Sequence, residues 1–185
     1  MVIGPTFLYC FVSINGCAEA TAKSEPEEVS VPQSKIEFAD DKRVQRLLPS
    51  NVRNILENPD SFKLMSIGGW GFSIDEFDDS VAKNEVLRTE QHVYIVSRSS
   101  EISDKSTQHK ILSSVYKSIS DYSDDAPTAT SWHPGYAVSA TKGDEATNII
   151  IYYKGMSFIV ILNQKNVAGG SLENNSPLFF HKLLQ

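Results

Sequence analysis

The densest apolar patterning lies in 131–164, SWHPGYAVSATKGDEATNIIIYYKGMSFIVILNQ. Positions 136–141 alternate as a strand does. Positions 147–153 are β-branched and aromatic, and 156–162 form a second apolar run. The polar turn 142–145 and the Lys154-Gly155 break separate the three runs, which predicts an antiparallel meander. The last two runs lack in-out alternation, so a sheet covered on both faces is expected. Ile149, Ile151, Phe158, Val160 and Ile161 are its expected core.

The rest of the chain adds elements around this meander. Over 41–58, Val44, Leu47 and Leu48 make one apolar patch, and Val52, Ile55 and Leu56 make a second. Pro49 suits the first turn of the second helical segment, and Pro59 stops it. Positions 61–67 alternate through Phe62 and Leu64, and 92–97 (HVYIVS) reads as another strand. In 106–122, Ile111, Leu112, Val115, Tyr116 and Ile119 fall on one helical face. Asp104 or Ser106 can cap that helix. Positions 163–175 read as a loop, and Ser176-Pro177 opens a helix over 178–184. The resulting order is α-β-β-α-β-β-β-α. It predicts an α+β domain with an antiparallel sheet of about five strands and helices on one face.

Composition divides the 185 residues. Positions 2–14 (VIGPTFLYCFVSI) form an apolar segment too short to span a bilayer as a mature helix, and fit the core of a signal peptide. Ile14-Asn15-Gly16-Cys17 resembles a bacterial lipobox. No Lys or Arg precedes Lys23, so the basic start of such a segment is missing. Acylated Cys17 is the expectation; a cleaved signal without acylation and a buried N-terminal strand are the alternatives. Positions 19–33 are rich in Ala, Glu, Ser and Pro and bury too little to order themselves. The expected division is a signal peptide over 1–16, a lipidated cysteine and flexible tether over 17–40, and one domain over 41–185.

The formal net charge of −6 argues against nucleic acid as a partner. The only cysteines, Cys10 and Cys17, precede the domain, so it has no thiolate ligand and no disulfide. The four histidines, His92, His109, His133 and His181, show no H-x-x-x-H spacing, and no metal or cofactor is expected. Asp75, Glu76, Asp78 and Asp79 lack the order of a calcium loop. They read as a solvated connection, 68–88, tacked down by Trp70, Phe72 and Phe77. Gly68-Gly69-Trp70-Gly71 matches neither nucleotide-binding pattern. No nucleophile motif occurs. Trp132, Tyr136, Tyr152 and Tyr153 suit either a stacking surface or a sheet core.

Two segments carry a resemblance. Ser131–Ala140 aligns with C-F-N-P-R-H-G-I-R-A, and Thr147–Gly155 with V-D-x-V-I-C-F-E-C, segments of an uncharacterised family of bacterial exported proteins. The apolar frame and Pro134 match. Ser131, Gly135, Tyr136, Tyr152 and Gly155 stand where the family has its Cys, Arg and His residues. His92 and Tyr94 match the family's F-H-G-Y. The resemblance implies export and an α+β frame, and no known activity.

From these residues the expected protein is a non-enzymatic binding or structural lipoprotein of the bacterial cell envelope. Its partners would be the membrane, through the N-terminal lipid, and an envelope protein. One alternative is a small periplasmic enzyme with a site around His92. The other is an inhibitor or immunity-type protein using its acidic surface. His92, Tyr94, His133 and Tyr136 are the candidate ligand contacts: His92 and Tyr94 share a strand face, and His133 and Tyr136 open the meander.

Overall fold

A computed structural model describes residues 35–69, 71–79, 84–121, 134–152, 157–172 and 177–184. The chain divides into two units, Met1–Pro32 and Gln33–Gln185, and all described residues lie in the second. In chain order they form helices α1 (Lys42–Leu47) and α2 (Ser50–Glu57) and strands β1 (Ser61–Ile67), β2 (Phe72–Ser73), β3 (Val86–Arg88) and β4 (His92–Glu101). Helix α3 (Lys105–Ser120) follows, then β5 (Pro134–Lys142), β6 (Glu145–Tyr152), β7 (Ser157–Leu162), β8 (Lys165–Ser171) and helix α4 (Pro177–Leu183).

The expectation of an α+β domain with about five strands is corrected. The strands form one antiparallel sheet of eight, in the order β2-β4-β1-β5-β6-β7-β8 with β3 also paired to β4. The sheet is strongly curled into a half-barrel and dominates over a few short helices. The added strands come from stretches that read as loops. Phe72–Ser73 and Val86–Arg88 sit in the Gly- and acid-rich connection, and both pair with β4. Lys165–Ser171 (KNVAGGS) has little apolar content, but it pairs along β7 as an edge strand.

Extra residues in the ladders accompany the curl. Ser66 pairs with Arg98 while Ile67 pairs with Val96, leaving Ser97 as the additional residue of β4. Its hydroxyl donates to the Ser66 carbonyl at 3.0 Å. A second irregularity lies at Gly135 of β5 and a third at Val167 of β8. Bulges bend a strand and raise its twist. The one in β8 also roughens an edge that would otherwise template a foreign strand.

Both faces of the sheet bury apolar side chains, and they do so separately. Leu64, Val138, Ile149 and Val160 lie in register across β1, β5, β6 and β7. They belong to a core that includes Val44, Leu56, Leu112, Tyr116 and Phe180 from the helices. Ile36, within the 17–40 segment expected as a tether, is buried there too. On the other face Met65, Ala137 and Ile150 are in register, and they cluster with Leu87, Tyr94, Val96, Tyr152 and Ile161, all from strands. Of the expected core residues, Ile149, Phe158, Val160 and Ile161 are buried, and Ile151 is partly buried against the helical core.

Local chemistry sets the helix limits. The Asp41 carboxylate accepts from the amides of Arg43 and Val44, and that of Asp104 accepts from Thr107, so α1 and α3 start at side-chain caps. These bonds, the one from Val44 foremost, hold the Asp41 carboxyl below its ordinary range. Buried Gln108 donates to the Ile102 carbonyl at 2.6 Å, tying the first turn of α3 to the end of β4.

Candidate functional site

Two turns meet where the half-barrel curls back on itself. Asn163 and Gln164, between β7 and β8, have φ of 48° and 70°, the signature of a two-residue type I′ turn. Neither is glycine, so the turn is held by its bonds. Asn163 exchanges hydrogen bonds with Ala146, its side chain accepting from the Ala146 amide at 2.9 Å. The Gln164 carbonyl accepts from the Glu90 amide at 2.8 Å, which ties this turn to the one between β3 and β4. Thr89 organises the latter: its buried hydroxyl accepts from the His92 amide at 2.9 Å and donates to the His92 carbonyl at 3.1 Å.

Beneath that junction lies an open cleft of about 430 Å³. Its floor is the polar end of the strand-enclosed face. Lys63 of β1, Ser139 of β5 and Asn148 of β6 lie side by side in register, with Ser61 and Thr141 as the next pair. Glu85, just before β3, and Arg88, its last residue, stand on one wall, and Gln164 closes the end. Lys63 donates to Glu85 at 3.1 Å across the cleft. Arg88 is paired with Asp79 and placed 5.6 Å over the Phe77 ring. The floor therefore offers hydroxyl and amide groups, with the Lys63 ammonium reaching the Glu85 carboxylate at the rim and the Arg88 guanidinium on the wall. Met65 and Leu87 mark its border with the apolar cluster.

The residues singled out from sequence are distributed differently. His92 is exposed and pairs with Ser73 of β2, with its ring 6.1 Å from that of Tyr94. Tyr94 is buried in the strand-enclosed cluster, where its hydroxyl shares a 2.9 Å hydrogen bond with that of Tyr152. Burial raises the pKa of both phenols. Gly71 packs against Tyr94 so closely that a Cβ would lie 2.6 Å from its ring. Tyr136 belongs to the helical core, edge-on to Phe180 at 5.6 Å. Tyr94 and Tyr136 are thus buried in different cores. Cys17 and His133 lie outside the described residues. Among the described residues no group of three or more His, Cys, Asp or Glu side chains is placed to hold a metal ion.

Sequence reasoning missed the cleft residues. Their one signal is modest: Lys63, Ser139 and Asn148 are polar positions next to apolar ones in their strands, and only the pairing register shows that they are neighbours. No helix among the described residues is long and apolar enough to cross a membrane. No protein-family model, curated protein or solved structure matches this chain.

Proposed function

We propose that this chain is a tethered, non-catalytic binding protein of the bacterial cell envelope, held by acylated Cys17 and using the half-barrel cleft to take a small polar ligand. The cleft is the observation that carries the reading. Ser139, Thr141 and Asn148 present hydroxyl and amide groups from adjacent strands of a rigid sheet, and a sheet is a better support for such groups than a loop. Lys63 and Glu85 at the rim suit a ligand with both hydroxyl or amide groups and a charged end, such as an amino sugar, an amino acid or a short peptide. The lipobox-like Ile14-Asn15-Gly16-Cys17 supports the anchor.

A thermal-shift screen of amino sugars, amino acids and short peptides tests the ligand. A compound that stabilises the wild type is expected to lose its effect with Asn148→Leu, which replaces the central amide by an apolar group of similar size. Equal shifts in both proteins would refute the cleft as the site. Expression in a bacterium tests the anchor: the N-terminal peptide should carry acyl chains on Cys17, and Cys17→Ser should release the protein from membranes. An unmodified peptide and unchanged partition would refute it.

A further inference from the structure

Two of the helices carry basic side chains within their spans and acidic ones only at their caps, Asp41, Asp104 and Asp121. Helices α1 and α3 contain three Lys or Arg each (Lys42, Arg43 and Arg46; Lys105, Lys110 and Lys117) and no Asp or Glu. The chain has a formal net charge of −6. Beside α3 this cationic surface is concave. An open cleft of about 420 Å³ runs between the helix and residues 35–37, lined by Lys35, Ser106, His109, Lys110, Ser113 and Lys117. Glu37 is the one carboxylate on its wall.

The groups there suit a phosphate. Ser113 accepts from the Glu37 amide at 2.9 Å, which leaves its hydroxyl proton to donate outward. Lys35 pairs with Asp40, but both side chains are more than four-fifths exposed, so the pair is weak and Lys35 is free to swing into the cleft. Lys117 sits 5.5 Å over the Phe38 ring and pairs with Asp121, which fixes one end of the cleft. Lys110 is exposed on the same helical face.

The position of the cleft in the chain indicates what occupies it. Lys35 lines the cleft and stands only 18 positions after Cys17 in the chain. If Cys17 is acylated, the domain is held within tether length of a bilayer, and tethering makes even weak contacts effective. We infer that the α1–α3 face docks on a bilayer rich in anionic phospholipid, with a headgroup phosphate in the cleft between Lys35 and Lys110. This rests on the envelope-anchored reading above. Clusters of Lys and Arg beside an anchor are attracted to anionic lipid, and salt screens that attraction over about 8 Å at physiological ionic strength.

The full chain is mixed with vesicles of neutral phosphatidylcholine, and with vesicles that also contain phosphatidylglycerol. Binding to neutral vesicles reports the N-terminal segment alone. The gain on adding anionic lipid reports the docking face, so failure of one is distinguishable from failure of the other. The gain is expected to vanish in high salt and to fall roughly tenfold or more in the double variant Lys35→Glu, Lys110→Glu. Lys165→Glu on exposed β8 makes a charge reversal away from the cleft and should keep most of the gain. Thermal melts of all variants exclude unfolding as the cause. A gain that is absent in the wild type, or that falls no further in the double variant than in Lys165→Glu, overturns the proposal. So does a thermal shift with inorganic phosphate that depends on Lys35 and Lys110 without any gain on anionic vesicles, which would make the cleft a site for soluble phosphate.

Discussion

On one face of the sheet Leu64, Val138, Ile149 and Val160 pack with side chains from the helices; on the other Met65, Ala137 and Ile150 pack with Leu87, Tyr94 and Val96 of the same sheet. The strands are shared, and successive residues serve opposite faces. The closures differ. Helices bring broad apolar stripes and seal their face along its length. The β3–β4 hairpin is narrow: Leu87, Tyr94 and Val96 join the apolar cluster, Glu90 bonds to Gln164, and β3 walls a cleft that stays open. One face therefore supports stability, and the other divides its area between a small core and a cleft. A curled sheet with unequal closures is a simple route from strand pattern to a concave surface.

The largest effects should fall on the helix-sealed face. Phe158→Ala is expected to cost about 3–5 kcal/mol in denaturant unfolding, as for a fully packed aromatic ring. Ile159→Ala, one residue along and only partly buried on the other face, should cost less than half as much. Equal losses would mean that the two faces are packed alike.

The phenol pair sharpens the same contrast. Tyr94→Phe or Tyr152→Phe alone should each cost about 1 kcal/mol, because each removes the hydrogen bond between the two buried hydroxyls. The double variant should cost less than the sum, as a double-mutant cycle will show. Both phenols, and Tyr116 in the helical core, have pKa values raised by burial. In the unfolded chain each tyrosine ionises near the ordinary value of about 10. The folded state holds the proton longer, so stability is intact below that pH and falls as pH rises above it. The fall in denaturation midpoint above about pH 10 should shrink in the double variant and persist through Tyr116. A fall unchanged by the substitutions would place its origin outside the strand-enclosed cluster.

The turn that closes the cleft comes next. Gln164 has φ of 70°, where a β-branched residue is more strained than glutamine, so Gln164→Val should cost about 1–2 kcal/mol. Gln164→Gly should be close to neutral, since relief of strain offsets the greater freedom of the unfolded chain. Smallest of all is the rim. Lys63→Met removes a partly exposed ion pair with Glu85 and should change stability by less than about 1 kcal/mol. A larger loss would show that the open end contributes to the fold as the sealed end does.

Much of the sheet was legible because its strands are dense in β-branched residues. The meander of β5, β6 and β7, the Lys142–Glu145 turn and the two covered faces all follow from the pattern of 136–162. The helix α3 was legible from its apolar stripe, and its cap from Asp104. Strand β8 was not, because Lys165–Ser171 has two glycines and little apolar content, and its turn uses Asn-Gln in place of a glycine-bearing pair. Strands β2 and β3 are short and owe their pairing to β4. The candidate site was less legible still: His92 and Tyr94 do share a strand, but Tyr136 faces the opposite core.

By itself, then, the sequence determined an antiparallel sheet flanked by helices, a domain free of cysteine, and an excess of acid over base. Those properties are set by local spacing and composition. Only the tertiary structure decided that the sheet curls, that a hairpin covers part of one face, and that Lys63, Ser139 and Asn148 become neighbours. Strand register places those three side by side, and bulges at Ser97, Gly135 and Val167 and one backbone bond between distant turns accompany the curl. A bulge is a relation between two strands, and a closing bond a relation between two turns, so neither has a signature in the spacing of residues along one of them.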